Sequence, residues 1–363
     1  MPHIIPAIVL VWLIITGVDV RAGQLKIATY NVDNLFDTVD DGSEYPDYDP
    51  NGGCGWGPAM AAVKVANIAR VLTGLGADIV CLQEVESRRA LDLLLNKLGS
   101  LGHPYPHAAM ADQAGTTVNC AVISKYPIIS QEEISPGKHI RSILKVTVRF
   151  EGRPLILFVN HWKSKQGPES RRIVYAEALK KALDRLDRDS DYILIGDFNV
   201  NYDEFLTLPD DRRLNDTRGR TGINHVLGTI SGRRLVTEAD LADAGRVRKH
   251  YNLWLEVPAQ RRWSHNFFGE KGTLDAILLP RGLYDDRGIA YVDNSFDRYA
   301  PDFLFDGRGA IYRWQQDKKG RGRHLGKGYS DHLPVFALFS TDPFQIRTKK
   351  SGETPRRRII PWP

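Results

Sequence analysis

Eight short apolar runs punctuate the chain, at residues 25–30, 79–82, 119–124, 144–150, 155–159, 192–195, 274–279 and 334–339. They are short and rich in β-forming residues, so they predict strands, and the two at 79–82 and 119–124 read as core strands. A second period lies between them. Val65, Ile68, Ala69 and Leu72 fall at i, i+3, i+4 and i+7, the stripe of an amphipathic helix. Leu91, Leu94, Leu95 and Leu98 repeat that stripe over residues 87–98, with Ser87 placed to cap the helix. Ala176, Leu179, Leu183 and Leu186 mark a third helix. Strands interspersed with helices indicate an α/β protein.

Four segments depart from these periods. Residues 4–15 are almost wholly apolar, too few for the roughly 20 needed to span a bilayer. They precede Val20-Arg21-Ala22, so residues 1–22 read as a signal peptide cleaved after Ala22. That predicts a secreted or periplasmic protein with no transmembrane span once processed. Residues 37–58, rich in Gly, Asp and Pro, read as a surface loop. Residues 200–264 carry weak patterns and many charges, and are expected to be an elaborated loop region on the same domain. Residues 343–363 lack periodicity and form a basic tail expected to be disordered.

Composition adds a few exclusions. With 363 residues, 42 % hydrophobic and 26 % charged, the chain can bury a full core, which rules out a fibrous or wholly disordered protein. Of the net charge of +5, +4 falls in residues 341–363, so global charge does not argue for nucleic-acid binding. Two local runs do: Lys163, Lys165, Arg171 and Arg172 follow His161, and Arg313, Lys318, Lys319, Arg321, Arg323 and Lys327 precede Asp331. Solvated loop charge explains such runs nearly as well. Cys54, Cys81 and Cys120 are too few for a disulfide scaffold; Cys81 and Cys120 sit in apolar runs as expected of buried thiols, and the sequence does not choose a disulfide pair.

The chemistry gathers at strand ends. Asn31 and Asp33 follow one apolar run, Gln83 and Glu84 another, Asn160 and His161 a third, and Gly196, Asp197 and Asn199 a fourth. Asp275 begins a run, and Asp331 and His332 just precede the last. Singly, each has an ordinary explanation, because Asp and Asn after a strand commonly bond nearby amides in turns. Six strand ends together are harder to explain that way, and strand ends are where α/β proteins assemble sites. Asn31, Asp33, Glu84 and Asp331 supply only oxygen donors, which suit Mg²⁺ or Mn²⁺, with Ca²⁺ also fitting, rather than structural zinc. Neither CxxC nor HExxH spacing occurs, and GxSxG and P-loop motifs are missing too, so a serine esterase and a nucleotide cofactor are not expected. Two histidines and several carboxylates around such a cation fit phosphate-ester hydrolysis.

The segments YNVDNLF, LQEVE, NHWKSK, GDFNV, TLDAIL and YSDHLPV, in this order between residues 25 and 340, resemble the successive signatures of the endonuclease/exonuclease/phosphatase superfamily. The resemblance implies a four-layer α/β/β/α sandwich, two central mixed β-sheets flanked by helices, with the catalytic domain at residues 23–342. By the same resemblance Asn31, Glu84 and Asp331 are metal ligands, joined by Asp33 at an acidic position of the AP endonuclease branch. Asp197 activates or orients the attacking water beside Asn199. His332 is the catalytic imidazole with Asp275 as its partner, His161 is the second histidine of the deoxyribonuclease branch, and Arg141 is a phosphate-contacting arginine. The WxGDxNYR run of inositol-polyphosphate phosphatases is replaced here by LIGDFNV, which counts against that branch.

Three functions are expected in descending order. The first is a metal-dependent phosphodiesterase acting as an endonuclease on DNA. The second is a phosphatase or sphingomyelinase-like phospholipid phosphodiesterase, for which only Trp56 and Phe303 hint at membrane-facing loop tips. The third is a non-catalytic binding domain on the same scaffold, which the intact set of site residues disfavours. A monomer is expected.

Overall fold

The computed structural model describes residues 23–113, 115–242, 247–267, 269–320 and 322–346. The expected signal peptide, and the tail beyond residue 346, lie outside the described residues. Strand β1 (Gln24–Leu35) leads into helix α1 (Pro58–Leu75), β2 (Ile79–Val85), α2 (Arg88–Ser100), β3 (His107–Met110) and β4 (Asn119–Ser124). Next come β5 (Ile128–Ile134), β6 (Ile143–Phe150), β7 (Arg153–His161), α3 (Ser170–Leu183) and β8 (Tyr192–Asp197). Short elements follow, and then β9 (Asp275–Leu279) and β10 (Val335–Ser340) close the fold.

Local chemistry sets the helix ends. Pro58 opens α1, where its missing N–H costs nothing, and Gly76 closes it in the left-handed region at φ 61°, its N–H bonding Leu72 O. Ser87 caps α2, its Oγ accepting from Ala90 N at 3.0 Å.

The strands form two mixed sheets. In the first, β10, β1, β2, β4 and β3 lie side by side, with β1–β2 parallel and the other pairs antiparallel. In the second the order is β9, β8, β7, β6, β5, with only β7–β8 parallel. Leu25, Ile27, Ile79, Cys81 and Val122 from the first sheet share one buried cluster with Val146, Leu157, Ile193, Ile195 and Ile277 from the second, so the sheets pack face to face. The other face of the first sheet (Ala28, Tyr30, Val80, Leu82) is covered by Ile68 and Leu72 of α1 and Leu91 and Leu94 of α2. Ala176, Leu179 and Leu183 of α3 join the cluster of the second sheet, with Trp162 beside them. Helix, sheet, sheet and helix thus make the four layers, and each central strand is apolar on both faces for that reason.

Ile223, Val226, Leu227, Val236, Leu253 and Trp254, from the weakly patterned 200–264 segment, belong to the same cluster. Trp254 Nε1 also donates to Asp275 O at 2.8 Å, anchoring the start of β9. Phe344, assigned to the tail by sequence, packs against Tyr284 with ring centroids 4.7 Å apart. Cys81 and Cys120 are buried free thiols, and Cys54 is a half-buried one. Burial pushes the Cys120 thiol up to about 12. Among the described residues no helix is long and apolar enough to cross a membrane.

Candidate active site

At the ends of β1 and β2 the ladder breaks. The parallel register runs from Ile27↔Ile79 to Asn31↔Gln83, then slips so that Leu35 pairs with Val85. Inside the break Asp33 (φ 52°), Asn34 (φ 67°) and Glu84 (φ 65°) are in the left-handed region. Such a conformation costs a non-glycine residue on the order of 1–3 kcal/mol and persists where surrounding contacts enforce it. Here it turns Glu84 toward the second sheet. Asn31 Nδ2 donates to Glu84 Oε1 at 3.2 Å and to Asp197 Oδ2 at 3.1 Å, clamping one sheet to the other. Its Oδ1 accepts from Asp33 N at 3.0 Å, which uses one of the two lone pairs available to a cation.

The second sheet brings its residues in register. His161 of β7 is the ladder partner of Asp197 of β8, and Asp197 in turn is opposite Asp275 of β9. One step back Gly196 pairs with Asn160 at φ 132°, and a Cβ there would lie 2.1 Å from Asn160 O, so only glycine fits. Asp197 is fixed from several sides: Oδ1 accepts from Asn199 N at 2.8 Å and Oδ2 from Asn199 Nδ2 at 3.1 Å, besides Asn31. Asn199, itself at φ 53°, also donates to Trp162 O at 3.0 Å.

Two histidines flank Asp197 in opposite protonation states. His332 Nδ1 bonds Asp275 Oδ2 at 2.7 Å, and Ser264 Oγ donates to that same oxygen at 2.6 Å. Burial opposes charge on His332, but Asp275, then Asp331 and Asp197, outweigh it and hold its pKa well above the usual imidazole value. His161 is held well below that value, by burial first and then by the Arg141 guanidinium. Arg141 donates to His161 Nδ1, leaving the ring proton on Nε2, 3.5 Å from Glu84 Oε1 and 3.7 Å from Asp197 Oδ2. Arg141, which the resemblance assigns to phosphate, therefore sets the tautomer of a histidine in this structure.

The carboxylates are crowded. Burial, then Asp33 and Asp331, raise Glu84 to about 7, and burial and Asp331 raise Asp33 to about 6. Asp197 is raised to about 6 by burial, against the pull of charged His332. Asp331 goes the other way: burial would raise it, but a hydrogen bond from His265 and the charge of His332 hold it low. Half-buried carboxylates that raise one another in this way form a site for a hard cation, and the oxygen-only donors Asn31, Asp33, Glu84 and Asp331 fit a divalent one. Two close donor groups lie on the His332 side, however. Asp197 with Asp275 and His332, and His265 with Asp331 and His332, each keep their ligand atoms within 4.8 Å of one another, and Asp33 and Glu84 stand in neither group.

Several residues escaped sequence reasoning. His265, 3.7 Å from Asp331 Oδ2, packs against His332 at a tilt, with ring centroids 4.6 Å apart. It sits in a short hairpin (His265–Phe267 with Glu270–Gly272) that carries no long apolar run. Lys64 is fully buried and donates to Asp33 O at 2.6 Å and Tyr329 O at 3.2 Å. The signal for it was present: Lys64 lies on the buried stripe of α1, between Ala61 and Ile68. Of the two basic runs, Arg172 is buried against Glu169 at 2.7 Å and Lys165 pairs with Glu204 at 2.8 Å. Arg313 is exposed, and its charge draws down both Asp33 and Asp331.

With this geometry in place, comparison with known proteins is specific. Residues 26–215, more than half of the chain, match the family described as Endonuclease/Exonuclease/phosphatase family. The chain belongs to that family. Its members are phosphoric-ester hydrolases, metal-dependent phosphodiesterases among them. No curated protein matches the sequence. Among solved structures, a humanized D. rerio TDP2 carrying 14 mutations superposes with a TM-score of 0.53 at 15 % identity, covering 87 % of this chain and 98 % of that one. D. rerio TDP2 complexed with a single-strand DNA product gives 0.52 at 15 % identity with the same coverage. At such identity the likeness establishes the fold of this family member.

Proposed function

We propose that the protein is a divalent-metal-dependent phosphodiesterase that cleaves DNA as an endonuclease. The observation that carries this reading is the placement of Asp197 between charged His332 and neutral His161, with Glu84 alongside. Asp197, raised to about 6, is ionised at neutral pH yet basic enough to take a proton from an attacking water. Asn199 and Asn31 hold its oxygens in place for that transfer. His332, kept protonated by Asp275, donates to the phosphate and offsets the charge that builds there. Neutral His161 offers an Nε2–H on the other side. Glu84, Asp33, Asp331 and Asn31 would hold a Mg²⁺ or Mn²⁺ ion, which would supply Lewis-acid neutralisation of phosphate oxygens.

DNA as the substrate is supported by the structural neighbour TDP2, which was solved with a single-strand DNA product. The lipid reading loses its two hints. Trp56 is 3 % exposed within an aromatic cluster with Tyr48, and Phe303 lies under the Arg70 guanidinium at 4.4 Å. Export through residues 1–22 remains part of this proposal. The test is cleavage of supercoiled plasmid and of single-stranded circular DNA, with Mg²⁺ or EDTA, beside an Asp197→Ala/His332→Ala variant. Metal-dependent scission lost in the variant is expected. Intact circles under both Mg²⁺ and Mn²⁺ would sink the nuclease reading.

A further inference from the structure

Arg141 has a second side. Away from His161 it lines a cleft of about 410 Å³ together with Tyr45, His139, Lys163, Arg171 and Tyr175, and no acidic side chain lines that cleft. Among the described residues Lys163 and Arg171 form no ion pair, in contrast to Lys165 and Arg172 of the same run. Arg171 also sits in the first turn of α3, where the helix macrodipole disfavours a cation. Its charge therefore serves neither the helix nor a partner within the chain. Tyr45 is 37 % exposed and lies near enough to both Arg141 and Glu84 to feel their charges, so the cleft and the carboxylate site adjoin. Its ring packs at a tilt against Phe36, with centroids 5.5 Å apart, which steadies it.

We infer that this cleft is a subsite for the nucleotide next to the scissile phosphate, with His139, Lys163 and Arg171 on that nucleotide's own phosphate and Tyr45 against its base. This rests on the phosphodiesterase reading above. Concave pockets of this size take one small-molecule-sized unit. Cations beside an exposed aromatic ring are the combination that binds unpaired nucleic acid, the ring stacking on any base and the cations on the backbone. A paired base cannot enter the cleft without leaving its duplex, so the subsite selects single-stranded or locally opened chains. Deoxyribose and ribose chains share this chemistry.

The test is fluorescence anisotropy in EDTA, where no turnover occurs, using labelled single-stranded hexanucleotides of DNA and of RNA and a DNA duplex of the same sequence. Arg171→Gln/His139→Gln changes only exposed side chains, and Tyr45→Ala provides a second variant. Both should weaken single-strand binding about tenfold and leave duplex binding unchanged, and the first should also leave the melting temperature unchanged. Unaltered single-strand affinity in both variants overturns the subsite, as does an equal loss for duplex. The DNA and RNA arms identify which chain is preferred. Hydrolysis of bis(p-nitrophenyl) phosphate, which has no second phosphate for His139, Lys163 and Arg171 to hold, reports on the chemistry separately. Its absence in the wild type with Mn²⁺ counts against the phosphodiesterase reading, while the anisotropy result still decides the subsite.

Discussion

Asp275 Oδ2 receives two hydrogen bonds, from His332 Nδ1 at 2.7 Å and from Ser264 Oγ at 2.6 Å, while its Oδ1 is buried without a partner. All the directional force on this carboxylate thus aims one oxygen at the imidazole. Asp275→Asn removes the charge that keeps His332 protonated and is expected to lower kcat on the order of 10²-fold. Because the pKa of His332 falls with it, the alkaline limb of the rate profile should move to lower pH. Steady-state kinetics across pH would show this; an unshifted limb would mean that Asp275 only positions the ring. Ser264→Ala keeps the charge but strips one bond from a buried carboxylate, and should cost about 1–3 kcal/mol of stability with a smaller rate effect.

Gly196 is the tightest point of the second sheet. Gly196→Ala places a methyl group against Asn160 O in a backbone region closed to side chains. The expected loss is about 3 kcal/mol or more, read from the denaturant midpoint. Asp197 is the next residue, so catalytic activity should fall even in the fraction that folds. A stable, fully active alanine variant would contradict this account of the strand crossing.

Metal binding should be visible without any substrate. Glu84, raised to about 7 by burial and by its acidic neighbours, gains most when a cation arrives. Saturation at 100 times Kd adds about 2.7 kcal/mol to stability, so Mg²⁺ or Mn²⁺ should raise the melting temperature and EDTA should reverse it. Glu84→Gln should abolish the shift while itself melting at or above the metal-free wild type, because one crowded charge is gone. Equal metal-induced shifts in the two proteins would place the cation elsewhere.

His250 provides a pH effect remote from the site. It is buried, its Nε2 is 2.8 Å from Tyr192 OH, and burial holds its pKa down at about 4. Unfolded, it titrates near 6.5. Between those values the unfolded chain binds more protons, so this contribution is intact above pH 6.5 and is lost as pH falls toward 4. It amounts to about 3 kcal/mol. His250→Gln should flatten the fall in chemical-denaturation stability between pH 7 and pH 4.5. A slope as steep as the wild type's would assign the acid sensitivity to other groups.

What the sequence revealed depended on contrast. A carboxylate or imidazole closing an apolar run, as at Glu84, His161 and Asp197, is a visible break, and the family signatures bracket each one. The eight apolar runs match β1, β2, β4, β6, β7, β8, β9 and β10 to within one residue at the start of the last two. Strands β3 and β5 were illegible: the first has four residues, and the second (IISQEEI) is an exposed edge without an apolar face. His265 opens a short hairpin, and Ser264 immediately precedes it, where local periodicity has no room to appear. Lys64 was hidden by chemistry rather than by pattern, since a lysine on a helix is ordinarily read as solvated, and the carbonyls of Asp33 and Tyr329 give it a reason to be inside. The basic runs misled in part because charge alone does not distinguish Arg172, spent on Glu169, from Arg171, which is not.

The Asn31 clamp reaches from the first sheet to an oxygen of the second, and the two halves of the centre ride on separate layers. Glu84 and Asp33 move with one sheet, while His161, Asp197 and Asp275 move with the other. Catalytic alignment is therefore a property of the seam and not of either sheet's own hydrogen-bonded lattice. Slight slippage between the layers, too small to expose the core, is enough to misalign the centre. Heat or denaturant should thus silence the protein before it melts, and substitutions deep in the intersheet packing, far from any reacting atom, should present as failures of turnover rather than of folding.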